Sequence, residues 1–207
     1  MNEMKQPSKL SPVKQALLEQ RLKGASTARV RAPDIRARPE RGVAPLSFVQ
    51  RQLWVIDQLT PGNPAYNLPN GYRLRGPLDV TALERSVNEI IKRHESLRTT
   101  FAVHDGEPLQ RIHPGLTITL KVTALDHLTG EEREDRLQAL ASEESVKAFD
   151  LSRLPLIRVS VFKLADAEHV LIINLHHIVA DGLSIGLLLD ELDAFYRAFA
   201  EIGRAHV

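Results

Sequence analysis

A short apolar run constrains the fold of this chain more than any other feature. Residues 170–175, VLIINL, are too few for a helix and predict a buried strand. His176 and His177 follow directly, and the leucine-rich segment 183–189 beyond them predicts a helix packed on both sides. The sequence therefore predicts a strand–loop–helix corner with histidines at the carboxyl end of the strand, where open α/β sheets usually bind ligands.

The residue types in this corner indicate proton transfer. Because side chains alternate along a strand, His176 and His177 are expected to point to opposite faces, one into a cleft and one into packing. An imidazole with a pKa of ~6.5 accepts a proton near neutral pH. Asp181 is placed to cap the following helix or to pair with an arginine, and Gly182 permits positive φ and close approach of a ligand. The competing interpretation is a pair of core histidines beside an ordinary Asp-Gly loop.

Three segments together resemble a known family. Residues 176–182, HHIVADG, fit the HHxxxDG signature of the condensation domains of nonribosomal peptide synthetases. Residues 47–54, SFVQRQLW, resemble the opening motif of that family, and residues 93–101, RHESLRTTF, match its second motif, RHExLRTxF, at every fixed position. Two positions depart from the family pattern: Gln52 stands where Arg is usual, and Leu183 where Trp or Val is common. HHxxxDG alone is shared with other acyltransferases, whereas the three motifs together are specific.

The resemblance implies an α/β fold, a chloramphenicol-acetyltransferase-like sandwich, of which residues 45–200 form the N-terminal lobe of a two-lobed domain. The active site of such domains lies in a tunnel between the lobes. Residues 1–44 are expected to be a basic linker with a short amphipathic helix at about 11–23. Residues 201–207, EIGRAHV, match the translation of a common sequencing-library adapter, and we expect a non-native tail there.

The activity that the resemblance implies is amide-bond formation. The amine of an aminoacyl thioester attacks an upstream acyl or peptidyl thioester, each held on a carrier domain by 4′-phosphopantetheine. The chain is expected to bind no cofactor directly. Its implied partners are the upstream and downstream carrier domains and an adenylation domain of the same assembly line. His177 is the expected catalytic, site-facing histidine and His176 its structural partner, whereas Arg93 and His94 are expected to pack and form ion pairs.

Asp181 and Gly182 are expected to belong to the catalytic group with the two histidines, and Arg98, Ser184 and Trp54 to give binding or structural support. Asp181 holds the loop, with Arg98 a candidate partner unless the arginine comes from the second lobe. The Gly182 N–H is expected to aid the developing oxyanion. Ser184 is a supporting residue at the start of the helix, and Trp54 belongs to the core rather than to the substrate site.

Composition excludes several other classes of site. The chain has no cysteine, which excludes disulfides, thiolate metal sites and a cysteine nucleophile, and we expect no metal. It has no 18-residue apolar run and no leader, so we expect no membrane contact and a cytoplasmic location. The net charge is +1, and Lys and Arg are concentrated before residue 45. Without aromatic side chains beside them, they indicate a solvated linker rather than a nucleic-acid site.

Three alternatives remain open from the sequence. The first is a standalone acyltransferase that transfers an acyl group from a CoA thioester to an oxygen or nitrogen. The second is a catalytically silent or epimerisation-type relative. The third is a non-catalytic lobe or binding fragment, for which half a cleft would leave an apolar surface exposed.

Local signals predict most of the remaining elements. Ser47 with Gln50, and Thr81 with Glu84, each fit a capping box at the start of a helix. The pair Asp105-Gly106 predicts a hairpin turn. The second helix is expected to bury Leu83, Val87, Ile90 and Ile91. Further elements are expected at 116–125 (strand), 131–148 (helix), 156–164 and 168–176 (paired strands) and 183–200 (helix).

Overall fold

The computed structural model of the chain describes residues 42–204. The expected helix at 11–23, most of the basic linker and residues 205–207 lie outside the described residues. In chain order the elements are β1 (Val43–Pro45), α1 (Phe48–Leu59), a 3-10 turn (Pro64–Tyr66), β2 (Asn67–Arg75), α2 (Val80–Arg93), a second 3-10 turn (Glu95–Arg98), β3 (Thr99–His104), β4 (Glu107–Ile112), β5 (Lys121–Ala124), α3 (Gly130–Val146), β6 (Ile157–Ala165), β7 (Glu168–His176) and α4 (Gly182–Arg204).

A four-stranded sheet with the order β2-β7-β6-β5 forms the centre of the fold. Only the β5–β6 pair is parallel among these strands. Strand β7 is buried from His169 to His176, because α2 and α4 pack on one face of the sheet and α3 packs on the other. This double coverage explains the apolar run at 170–175 and confirms the predicted buried strand. The predicted apolar face of α2 is also confirmed by four buried side chains, Leu83, Val87, Ile90 and Ile91.

A second sheet has three antiparallel strands in the order β1-β4-β3. The predicted hairpin joins β3 to β4 through a two-residue turn. Both turn residues have positive φ, 50° for Asp105 and 81° for Gly106, which matches the twist of the flanking strands. A separate apolar cluster joins this sheet to α1 and to the segment after β7; its buried members are Leu46, Leu53, Phe101, Phe149, Leu151, Leu156, Ile178 and Val179.

The two predicted capping boxes have different outcomes. At α1 the box is confirmed, because the Gln50 N–H donates to Ser47 Oγ at 3.2 Å and the Ser47 N–H donates to Gln50 Oε1 at 2.9 Å. At α2 the prediction is wrong, because Asp79 caps the helix and its Oδ1 accepts from the Ala82 N–H at 2.9 Å. A carboxylate two residues before Thr81 is the stronger N-cap and starts the helix earlier.

The strand predicted at 116–125 is shorter than expected. Only Lys121–Ala124 pairs with β6. The preceding backbone bonds to side chains of α2 instead: Asn88 Oδ1 accepts from the Ile118 N–H at 2.8 Å, and Glu84 Oε2 accepts from the Leu120 N–H at 2.9 Å. These bonds satisfy the backbone without a strand partner.

Helix α4 is packed on one side only, so the expectation of burial on both sides is wrong. Leu188 and Leu192 are buried in the core, whereas Leu183 is 87% exposed and Leu187 is 52% exposed. The sheet lies against only one face of this helix. From residue 42 to residue 204, no helix has the length and apolar character needed to span a membrane.

Candidate active site

The loop after β7 is shaped by three backbone hydrogen bonds. The His176 N–H donates to the carbonyl of Leu156 at 3.1 Å, and the His177 N–H donates to that of Tyr66 at 2.8 Å. The Val179 N–H then turns back to the carbonyl of His176 at 3.0 Å. The two histidine side chains consequently diverge, since His176 is buried and His177 is exposed. The structure thus places the adjacent imidazoles in different environments, as strand alternation predicts.

His176 is enclosed by aromatic rings. Its ring centroid lies 6.4 Å from that of Tyr66 and 6.1 Å from that of Phe149, which meets it edge-on. Its Nδ1 accepts a hydrogen bond from the Ile178 N–H at 3.1 Å. Burial, reinforced by the neighbouring His177, lowers the pKa of His176 to about 4. At neutral pH this ring is therefore uncharged and carries its proton on Nε2.

His177 has the opposite tautomer. Its Nδ1 lies 3.0 Å from the carbonyl oxygen of Ala180. A carbonyl oxygen only accepts hydrogen bonds, so this contact requires a proton on Nδ1. In the neutral ring, Nε2 then has an unprotonated lone pair. Because the side chain is exposed, this lone pair is available to a group outside the described chain.

Asp181 caps the first turn of α4. Its Oδ1 accepts from the Ser184 N–H at 2.8 Å and from the Ser184 hydroxyl at 2.6 Å, while the Asp181 N–H donates to Ser184 Oγ at 3.2 Å. These hydrogen bonds lower the pKa of the Asp181 carboxyl. Of the two placements expected for Asp181, capping is the one observed, and Ser184 is its partner.

The candidate pairing of Arg98 with Asp181 is not observed. Arg98 makes no ion pair with Asp181 in the part of the chain that the structure describes; it donates to the carbonyl of His113 and lies 3.7 Å from the carboxylate of Glu95. The Asp181 carboxylate is already engaged at the start of α4, and Arg98 extends along its own 3-10 turn toward the end of β4. Gly182 does not use the positive φ that glycine permits, because it is already part of the helix.

Gln50 supports the loop and was missed as a site residue. Besides completing the capping box of α1, its Nε2 donates to the carbonyl of Ile178 at 3.2 Å and to Gln110 Oε1 at 3.2 Å. Trp54, one turn further along α1, is half-buried against the apolar cluster that contains Ile178 and Val179. The opening motif therefore supports the histidine loop through a hydrogen bond from Gln50 and apolar packing of Trp54. The capping signal identified Gln50 as structural but gave no sign of this long-range bond.

The second motif joins α2 to α4. Glu191 of α4 binds both Arg93 Nε at 3.1 Å and His94 Nε2 at 2.6 Å. The expected ion pair is confirmed for Arg93, and His94 makes a close polar contact with the same carboxylate. Within residues 42–204, no group of three His, Asp or Glu side chains is placed to hold a metal ion.

Comparison with known proteins identifies the family. The model of the condensation domain family matches residues 40–203. The chain therefore belongs to the condensation domain family, as its three motifs predict. Its relatives are peptide synthetases: it is 46% identical over 163 residues to a linear gramicidin synthase of Brevibacillus parabrevis. It is 41% identical over 195 residues to phosphinothricin tripeptide synthetase PhsC of Streptomyces viridochromogenes.

The chain covers a small part of these relatives. The two alignments include 79% and 94% of this chain but only 2% and 18% of the synthetases, respectively. Solved structures show the same relation. The starter condensation domain of rhizomide synthetase RzmA matches with a TM-score of 0.71 at 24% identity, over 77% of this chain and 40% of that one. The X-domain in the complex with OxyB from teicoplanin biosynthesis matches with a TM-score of 0.71 at 34% identity, over 82% and 35%. These matches confirm the chloramphenicol-acetyltransferase-like fold class.

Proposed function

We propose that this chain is the histidine-bearing, N-terminal lobe of a condensation domain that forms an amide bond between two carrier-bound thioesters. The proposal rests on one observation, the hydrogen bonding and tautomer of His177. Its Nδ1 is committed to the Ala180 carbonyl, and its Nε2 has a lone pair on an exposed ring. A neutral imidazole in this tautomer accepts a proton, or a hydrogen bond, from an incoming amine.

The proposed reaction is transfer of an acyl group from sulfur to nitrogen. The amine of the downstream aminoacyl thioester attacks the upstream thioester carbonyl, the C–N bond forms, the C–S bond breaks, and the carrier thiol leaves. His177 Nε2 takes the amine proton or orients the amine by a hydrogen bond. Because a thioester is already activated, holding the two reactants in position supplies much of the rate.

Other residues of the loop contribute around His177. Gly182 lies in the first turn of α4, where backbone N–H groups have no acceptor within the helix and the helix dipole favours negative charge. Its N–H suits the oxyanion that develops during attack. Asp181 and Ser184 fix the start of that helix, and His176 holds the loop through Ile178. Trp54 packs against the apolar cluster beside the loop, whereas Arg98 donates to the carbonyl of His113.

The partners and boundaries belong to the same proposal. Similarity to peptide synthetases supports upstream and downstream carrier domains that deliver 4′-phosphopantetheine-bound substrates, with an adenylation domain in the same assembly line. The proposal takes residues 45–200 as the lobe, 1–44 as a linker and 201–207 as a non-native tail. A cytoplasmic location, with neither nucleic acid nor membrane as a partner, completes it.

A product assay distinguishes this proposal from its alternatives. The polypeptide encoded by the complete reading frame is supplied with an acyl thioester on one carrier and an aminoacyl thioester on another, or with the same acyl group on CoA and alcohol or amine acceptors. We expect an amide product on the downstream carrier and none from CoA. Products from CoA alone would identify a standalone acyltransferase. The absence of product with either donor would indicate a non-catalytic lobe.

A further inference from the structure

The carboxyl end of α3 is held by amide side chains from two strands. Asn67 of β2 donates to the carbonyls of Ser145 and Lys147 at 2.7 and 2.9 Å. Asn174 of β7 donates to the carbonyl of Glu144 at 2.8 Å. The last carbonyls of a helix have no donor within the helix, and these bonds satisfy three carbonyls at that end. The segment that follows α3 is thereby fixed against the sheet.

Arg158 of β6 completes this attachment. Its guanidinium forms an ion pair with the Glu144 carboxylate and donates to the carbonyls of Lys147 and Ala148. The same group lies over the ring of Phe149, with Cζ 3.7 Å from the centroid. A planar guanidinium makes several directed hydrogen bonds while stacking on a ring, which an ammonium group does not reproduce. The Arg158 side chain is largely buried in this position.

Phe149 connects Arg158 to the histidine pair. Besides its contact with the guanidinium, the Phe149 ring makes the edge-to-face contact with His176, at an interplanar angle of 84°. The Nδ1 of His176 in turn accepts a hydrogen bond from the Ile178 N–H. A continuous set of contacts therefore runs from the end of α3 through a guanidinium, a phenyl ring and an imidazole to the loop that carries His177.

We propose that Arg158 is a positioning residue for the histidine pair. By holding Phe149 against His176, it keeps the buried imidazole in the orientation that accepts the Ile178 N–H, and this bond sets the shape of the loop. The inference rests on the proposed function only in treating His177 as the group to be positioned. The contact sequence itself is tested without any assay of activity.

The test compares Arg158→Lys with Arg73→Lys in the isotopically labelled 207-residue chain. Arg73 of β2 is a matched control because it also pairs a sheet arginine with a glutamate of α3, Glu134, and it pairs with Glu168 at the opposite end of β7 from His176. Two quantities are measured by NMR: the hydrogen exchange rate of the Ile178 amide relative to other β7 and loop amides, and the tautomer of the His176 ring from long-range ¹H–¹⁵N correlations.

For Arg158→Lys we expect the Ile178 amide to exchange at least ~10-fold faster relative to the β7 amides, since about 1.4 kcal/mol of local stabilisation corresponds to tenfold. We also expect His176 to show a mixture of neutral tautomers. Arg73→Lys should change neither quantity. Uniform acceleration of all amides, with His176 still fully in the Nε2–H tautomer, would assign Arg158 a general structural role and overturn the proposal.

A second variant covers the case in which Arg158→Lys does not fold. Phe149→Leu keeps the guanidinium and an apolar side chain but removes the ring edge, so it should produce the same local changes at Ile178 and His176. An unchanged His176 tautomer and Ile178 exchange rate in this variant would also overturn the proposal. If the variants change Ile178 exchange and the His176 tautomer as expected but the amide assay gives no product, only the proposed function is contradicted. Failure of the proposed function and failure of this inference are therefore distinguishable.

Discussion

At the histidine pair, two neighbouring imidazoles have different hydrogen-bond partners and different tautomers. His176 uses Nδ1 as an acceptor for a backbone N–H, and His177 uses Nδ1 as a donor to a backbone carbonyl. The first arrangement orders the loop, and the second places the proton of the neutral ring on Nδ1 and leaves Nε2 as the acceptor. The sequence predicts the divergence of the two side chains, because alternation along a strand is local. It does not predict the tautomers, because these depend on the path of the backbone through Ile178 and Ala180.

The low pKa of His176 predicts a dependence of stability on pH. The unfolded chain takes up this proton near pH 6.5, whereas the folded chain does so only near pH 4. The stabilisation is therefore complete above about pH 6.5 and is lost as the pH falls toward 4. Between pH 7.5 and 5.0, this group alone should lower the free energy of unfolding by about 2 kcal/mol.

Urea unfolding at the two pH values measures that change, and an NMR titration of the His176 ring assigns it. Carboxylates with lowered pKa, such as those of Asp150 and Asp181, lose their contribution mainly below this range. A His176 ring that titrates near pH 6.5 in the folded chain would contradict the account.

For helices, strands and turns, a sequence signal predicts the structure correctly where neighbouring residues alone determine it. The capping box at Ser47, the turn at Asp105-Gly106 and the run at 170–175 each specify their structure through neighbouring residues. The strand at 116–125 fails because its first half bonds to side chains of α2, about 30 residues earlier in the chain. Such pairing becomes visible only when the tertiary arrangement is known.

The start of α2 provides a direct test of two capping hypotheses. The structure predicts that Asp79→Ala lowers the free energy of unfolding by about 1 kcal/mol, because the Ala82 N–H loses its acceptor. Thr81→Ala should change it by less than about 0.5 kcal/mol, because Thr81 is an exposed residue inside the helix. Chemical denaturation of both variants measures the difference. A larger loss of unfolding free energy in Thr81→Ala than in Asp79→Ala would support the capping box that the sequence predicted.

At the scale of the whole molecule, the candidate site depends on contacts between distant segments. Gln50 reaches the histidine loop from α1, and Phe149 reaches it from the segment after α3. The family motifs identify the residues of the loop, but they do not indicate which other segments hold it. Arg98 is an example: the sequence offers it as a partner for Asp181, but in the fold it donates to the carbonyl of His113.

The exposed apolar side chains predict a property of the isolated chain. Leu183 is 87% exposed, Phe48 77% and Leu59 76%. Exposed large apolar side chains provide surface to which other apolar groups bind. We expect the folded 207-residue chain to bind a hydrophobic dye, and we expect Leu183→Ser to reduce the fluorescence without lowering the unfolding midpoint. A folded chain that leaves the dye unbound would contradict this expectation.

We propose that His177 takes the amine proton or orients the amine by a hydrogen bond, and one substitution tests this role. The rate of amide formation between two carrier-bound thioesters is measured for the polypeptide of the complete reading frame and for its His177→Ala variant, with His104→Ala as the control at an exposed histidine of β3. We expect a loss of about 100-fold or more for His177→Ala, with an unchanged unfolding midpoint and a normal rate in the control. An unchanged rate in His177→Ala would show that His177 takes no part in the reaction.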